Sequence, residues 1–173
     1  MRIGLGKDVH AFAPNRKLII GGVEIPYSMG LLGHSDADVL THALMDAILG
    51  AMREGDIGKL FPDTDPAYKD ANSIVLLMHV AERMRQAGFE LESADCVITA
   101  QEPKISPYRE QMRETLADAL GVSVDCIGVK ATTSEWLGYE GRKEGITAEA
   151  VVLLKESHTF PNGQMFAGGI FSC

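Results

Sequence analysis

Apolar and polar positions along the chain follow two rhythms, one of period two and one near 3.6, and the switches between them mark the elements. Residues 18–27, LIIGGVEIPY, read as a β-hairpin turning at Gly21-Gly22, with Pro26 closing the run. From about Asp36 to Arg53 the rhythm is helical, with Leu40, Leu44, Ala47, Ile48 and Ala51 on one apolar stripe and Ser35 or Asp36 as the expected cap. The stretch GDIGKLFPDTDPAYK, residues 55–69, is punctuated by proline, glycine and aspartate and reads as a long loop of the kind that covers a site. A second helix is predicted from about Asn72 to Ala87, with Leu77, Val80, Ala81 and Met84 inward and Gly88 as its stop. Residues 89–100 alternate as a strand, and a third helix opens at Ser106, an N-cap before Pro107, and ends at Gly121. Two more strands, about 125–131 and 146–154, follow.

Strands and helices mix without strict βαβ alternation. That predicts an α+β fold of two layers, with helices packed on one face of a mixed β-sheet. The expected domain covers residues 1–156, and 157–173 lose all periodicity and read as a C-terminal tail.

Charge narrows the function. A net charge of −8 without a Lys/Arg tract argues against nucleic acid as a partner, since that affinity comes mainly from neutralising phosphates. An anionic small substrate would need bound cations or a few placed Lys and Arg. The apolar runs fall far short of the roughly 20 residues that span a bilayer, so no membrane association is expected. The start, MRIGLGKDVHAF, is polar within eight residues and offers no signal-peptide core. Cys96, Cys126 and Cys173 are odd in number and lack CxxC spacing, which fits a reducing cytoplasm. Cys96 and Cys126 fall in strand-like apolar stretches, where a buried inert thiol is expected.

Candidate chemistry begins at Asp8-Val9-His10. On a strand, Asp8 and His10 share a face about 7 Å apart and could converge on one ion. The segment HSDADVLTH, residues 34–42, concentrates further such side chains. Asp38, His42 and Asp46 lie at i, i+4 and i+8, a polar stripe bordered by Val39 and Met45. Asp38 or Asp46 is placed to receive the second N–H of a ligating His42. On this segment alone a half-buried structural histidine is an equal reading. With Asp8 and His10, His42 would complete three protein ligands, an arrangement that leaves zinc an open position. His79 is expected on a solvated helix face, and His158 in the tail. Asp56 and Asp63 could hold sugar hydroxyls. In KATTSEWLGYEGRKEG, residues 130–145, small hydroxyl residues with free amides could cradle phosphate, and Glu135 could carry a divalent cation.

Several long motifs stand in register from Arg2 to about Lys155: G-x-G-x-DVHAF, IIGGVxIPY, GLLxHSDxDVxxHAxxDAxLGA, GDIGKLFPDTDPAYK and VKATTxExLGxxGRxEGI. Together they resemble the 2-C-methyl-D-erythritol 2,4-cyclodiphosphate synthase family. The resemblance implies a homotrimer with sites between adjacent subunits, one Zn2+ per subunit and a second divalent cation, Mg2+ or Mn2+. It implies a reaction in which the substrate's 2-phosphate attacks the β-phosphorus of its cytidine diphosphate arm, closing a ring and releasing CMP.

By position, the resemblance makes Asp8, His10 and His42 the zinc ligands, with Asp8 and His10 also beside substrate. It makes His34 and Thr133 the transition-state stabilisers, Ser35 a substrate contact and Glu135 the residue at the second ion. Asp56, Ile57 and Gly58, with Phe61, Pro62, Asp63, Thr64 and Asp65, match the methylerythritol-phosphate end of the pocket. Ala100, Gln101, Glu102, Pro103, Lys104, Ile105 and Ser106 match the cytidine side. His34, Ala131, Thr132, Thr133, Ser134, Glu135, Tyr139 and Arg142 complete the substrate-binding set. Leu5 stands where a histidine is frequent and Lys7 where an aromatic is frequent. Lys7 is open to pairing with Glu144 or to meeting an anion near the expected trimer axis.

Overall fold

The computed structural model, which describes residues 1–62, 64–68 and 70–157, is built on a five-stranded sheet. In chain order the strands and helices are β1 (Arg2–Ala13), β2 (Leu18–Ile20), β3 (Val23–Ile25), β4 (Gly30–Leu31), α1 (Val39–Met52) and α2 (Ile57–Leu60). There follow α3 (Ser73–Gln86), β5 (Phe89–Thr99), α4 (Arg109–Leu120), β6 (Ile127–Thr132), α5 (Gly138–Gly141) and β7 (Gly145–Glu156). The sheet order is β4-β1-β7-β5-β6; β5 and β6 run parallel and every other neighbouring pair antiparallel. The sheet is therefore mixed, as the sequence pattern implied. The hairpin of β2 and β3 turns at Gly21-Gly22, where both glycines have positive φ.

One face of the sheet is covered. Ile146, Ala148, Ala150, Val152 and Leu154 of β7, with Ala94, Cys96 and Ile98 of β5, meet the inward faces of α1, α3 and α4. Leu77, Val80, Ala81 and Met84 of α3 lie in that core as predicted. α1 is buried far beyond its expected stripe, because α3 and the sheet enclose it from several sides. The other face of β1 and β7 carries Ile3, Leu5, Val9 and Val151, all exposed, the first two at 73% and 70%.

How α1 lies on β1 matters most for the site. Gly4 and Gly6 face it, and a Cβ at either position would stand 1.9 Å from a carbonyl oxygen, of Ala47 and of Ala43 respectively. Only glycine lets a helix backbone approach a strand this closely. Asp8 and His10 continue the same face of β1, so the contact carries them to the first turns of α1.

Five local expectations need correction. α1 begins at Val39, and its cap is Asp38, not Ser35 or Asp36. Asp38 is fully buried and accepts from Thr41 N (3.0 Å), Thr41 Oγ1 (2.8 Å), Gly21 N (2.8 Å) and Gly22 N (2.6 Å). It thereby pins the hairpin turn to the helix start. Burial raises its pKa, and these donors work against that shift. Ser106 does not cap α4; it opens a 3-10 turn, Ser106–Tyr108, that leads into the helix without a side-chain cap. Cys126 sits in a 3-10 turn before β6 instead of on a strand, whereas Cys96 is buried on β5. Alternation in β5 is also broken by a bulge between Leu91 and Ser93. The supposed loop at 55–69 holds α2 and a 3-10 turn, Pro66–Tyr68.

Candidate metal centre

The period-two face of β1 delivers Asp8 and His10 together, and α1 delivers His42 from 32 residues further on. His10 Nε2 lies 2.9 Å from Asp8 Oδ2, His42 Nδ1 lies 3.0 Å from the same oxygen, and the two ring nitrogens are 3.2 Å apart. A tetrahedral ion with bonds of about 2.1 Å has ligand atoms about 3.4 Å apart. The three atoms thus stand slightly inside the spacing one zinc-sized ion requires, and among the described residues they form a group able to hold a metal.

Both imidazoles are oriented from behind. His10 Nδ1 faces the Leu32 carbonyl oxygen at 2.6 Å, leaving Nε2 toward Asp8. His42 Nε2 faces Ser73 Oγ at 2.9 Å and Ser35 Oγ at 3.2 Å. Neither Asp38 nor Asp46 receives that nitrogen, contrary to the i+4 expectation. Asp38 is occupied by its cap, and Asp46 accepts from Ile57 N at 2.8 Å. Ser73 had no signal in the sequence beyond its place at a helix start.

The electrostatics match a cation site. Burial alone would raise the Asp8 pKa, but bonds from His10 and His42 hold its carboxyl far below the usual carboxylate range. Burial likewise opposes charge on His10, and the Asp8 carboxylate outweighs it and raises the imidazole pKa. A divalent ion would replace those shared protons.

The three atoms open onto a cavity of about 260 Å³ that His34, Ser35, Ile57, Gly58 and Phe61 also line. Met45, expected beside the His42 stripe, Tyr68 of the GDIGKLFPDTDPAYK stretch and Leu76, which no motif singled out, complete its apolar wall, and Tyr68 stacks edge-on against Phe61 at 5.3 Å. His34 Nε2 is buried without a hydrogen-bond partner among the described residues, a free group on the cavity's margin. Asp56 caps α2 through Lys59 N (2.9 Å) and is not in the lining. Pro62, Thr64 and Asp65 are exposed nearby, and Asp63 lies outside the described residues.

The remaining predicted residues gather elsewhere. Thr99 of β5, Thr132 of β6 and Val9 of β1 align through Thr147 across the sheet. Residues 100–106 and 131–135 therefore emerge at the same sheet end as Asp8, but up to three strands away. There Glu135, at positive φ, accepts from the Thr133 hydroxyl at 2.7 Å, and Gln101 Oε1 accepts from Trp136 N at 3.2 Å. Lys143 pairs with Glu102 at 2.7 Å, and Lys104 is exposed. Ala100 and Ile105 are buried in the core. Tyr139 meets Thr147 Oγ1 at 2.5 Å, and Arg142 grips Glu144 through two contacts of 2.9 Å. Glu144 being taken, Lys7 pairs instead with Glu149 at 3.0 Å. His79 is exposed on α3, as expected, and His158 lies outside the described residues.

A helix-covered mixed sheet carrying a carboxylate and two imidazoles around one open point defines a class: an α+β protein with a three-ligand candidate metal centre. The chain matches the YgbB family over residues 1–155 and belongs to it, which agrees with the motif resemblance to the cyclodiphosphate synthases. It is 60% identical to the 2-C-methyl-D-erythritol 2,4-cyclodiphosphate synthase of Bacillus cytotoxicus over 155 residues, 90% of this chain and 98% of the relative. It is similar in structure to a 2-C-methyl-D-erythritol 2,4-cyclodiphosphate synthase solved with CDP (TM-score 0.81, 40% identity, 89% of this chain and 100% of the other). It also resembles the bifunctional IspDF of Campylobacter jejuni (TM-score 0.87, 48% identity), covering 90% of this chain and 42% of that one.

Proposed function

We propose that the chain cyclises 4-diphosphocytidyl-2-C-methyl-D-erythritol 2-phosphate to 2-C-methyl-D-erythritol 2,4-cyclodiphosphate with release of CMP, a step of non-mevalonate isoprenoid biosynthesis in the cytoplasm. The observation that carries this reading is the convergence of Asp8, His10 and His42 on one cavity with His34, Ser35, Ile57, Gly58 and Phe61. Relatives named for this reaction, and a similar structure bound to CDP, support it.

In this reading Asp8, His10 and His42 hold Zn2+, and Glu135 holds Mg2+ or Mn2+ together with substrate phosphate, as magnesium commonly binds through one carboxylate plus phosphates. Bound there, the ions supply positive field to phosphate oxygens in an otherwise acidic protein. His34, through its unpartnered Nε2, and Thr133 stabilise the charge that grows on those oxygens. Ser35 orients the phosphate, while Ile57, Gly58 and the segment Phe61–Asp65 enclose the sugar end. Residues 100–106 and 131–133 hold the cytidine arm, and Ser134, Tyr139 and Arg142 complete the substrate contacts. Folding the substrate so that its 2-phosphate faces the β-phosphorus makes the attack intramolecular.

The homotrimer belongs to this proposal. β1 and β6 are three strand spacings apart, about 14 Å, so a neighbouring copy is the simplest source of the cytidine half for each metal half. The exposed Ile3, Leu5 and Val9 on the uncovered sheet face supply apolar surface for such contacts.

The test is incubation of the substrate with protein, zinc and magnesium, followed by 31P NMR. Equimolar CMP and cyclic diphosphate are expected. Linear product or inorganic phosphate would point to a zinc hydrolase, and absence of turnover with tight isoprenoid-diphosphate binding to a non-catalytic binder; either overturns the proposal.

A further inference from the structure

Behind His42, on the side away from Asp8, a short chain of polar groups runs inward. The Ser73 hydroxyl donates to Asp36 Oδ1, and the Ser73 amide donates to Asp36 Oδ2 at 2.9 Å. Ser73 is fully buried and His42 nearly so. Asp36 is itself tied down, its amide donating to the Ala71 carbonyl at 3.1 Å, while Asp70 N reaches the His34 carbonyl at 2.8 Å. The start of α3 is thus laced to the segment that carries His34 and Ser35.

Proton counting gives this chain a direction. A hydroxyl has one hydrogen, and a carboxylate only accepts. With its hydrogen committed to Asp36, Ser73 Oγ must accept from His42 Nε2, 2.9 Å away. A neutral imidazole protonated at Nε2 carries its lone pair on Nδ1, and Nδ1 is the atom that faces Asp8 and His10. We infer that Ser73 and Asp36 are positioning residues that hold the His42 Nε2–H, and so present the Nδ1 lone pair to the ion. The inference rests on the metal reading of the site. It has a consequence for Ser35: with Nε2 already a donor and the Ala37 amide donating to Ser35 Oγ at 3.2 Å, the Ser35 hydrogen is left for the cavity. Asp36 acts through Ser73, and neither touches the reacting atoms.

Outer partners of a ligating histidine typically change metal affinity about 10- to 100-fold. Ser73→Ala should therefore raise the zinc dissociation constant by about that factor in a chelator competition, with far-UV circular dichroism unchanged. Asp36→Asn should weaken zinc in the same direction, and the S73A/D36N double variant should bind zinc no more weakly than S73A alone. Additive losses, or unchanged affinity in S73A, would overturn the relay. A second readout needs no variant. In the zinc-loaded wild type labelled with 15N-histidine, His42 should show a slowly exchanging Nε2–H; its absence would also overturn the inference. These measurements do not involve turnover. Zinc held tightly by a protein that fails to cyclise its substrate would defeat the proposed function alone.

Discussion

His42 Nδ1 lies 3.0 Å from Asp8 Oδ2 although 34 residues separate them, and the glycines at 4 and 6 are the reason. They let the backbone of α1 rest on β1, so the first turns of the helix reach the strand's polar end. Bulk at those positions would move His42 away from its partners before any ligand was altered.

That dependence can be measured. Gly6→Ala places a Cβ 1.9 Å from the Ala43 carbonyl oxygen, and overpacking of this kind costs roughly 1–3 kcal/mol or more. Urea denaturation should show a loss in that range, accompanied by weaker zinc retention. Unchanged stability and metal content would mean that the close approach does not set the site.

His42→Ala removes one of the three candidate ligands while leaving a nearly buried space at the helix start. Zinc content by plasma mass spectrometry should fall to background, and CMP release with it, while the helical circular dichroism signal persists. Full zinc occupancy would take His42 out of the ligand set.

Glu135 stands apart from the triad, bonded to the Thr133 hydroxyl at 2.7 Å. Glu135→Ala should leave zinc content intact and raise the magnesium concentration needed for half-maximal turnover by about tenfold or more, since a contact with a charged group contributes about 1.5–3 kcal/mol and about 1.4 kcal/mol is tenfold. A superimposable magnesium titration would reject the second-ion assignment.

Burial pushes the Cys96 thiol up to about 12. The thiolate is the nucleophile, so Cys96 should resist alkylation in the native protein at pH 8 and react only after unfolding. The sign for stability follows. The unfolded thiol ionises near pH 8.5 and the folded one only near 12, so this contribution is fully present below about 8.5 and is lost as pH rises toward 12. Peptide mapping of iodoacetamide adducts checks it; rapid native labelling of Cys96 at pH 8 would contradict the burial.

The parts of the fold that were legible in the sequence are those governed by a local period. The stripe of α1, the inward face of α3 and the shared face of Asp8 and His10 all follow from 3.6 or 2.0 spacing. Where two local signals compete, α1 starts later than its sequence pattern predicts. Ser35 and Asp36 are good caps in isolation, but Asp38 wins because the Gly21 and Gly22 amides arrive from the hairpin to share its carboxylate. The partner of His42 was sought at i±4 on its own helix and proved to be Ser73, on another. Lys7 was open to Glu144 or to an anion, but the register opposite Glu149 on β7 decides its pairing. No spacing rule shows contacts set by strand order. For the same reason, nothing local reveals that residues 100–106 and 131–135 leave the sheet so far across from β1.

The proposed chemistry depends on Asp8, His10 and His42 gripping one ion. The most direct test is an anomalous difference map recorded at the zinc absorption edge from crystals of the purified protein. One strong peak per chain is expected, about 2.0–2.2 Å from an Asp8 carboxylate oxygen, His10 Nε2 and His42 Nδ1. No peak at that point in zinc-supplemented crystals, or a peak bound through His42 Nε2, would contradict it.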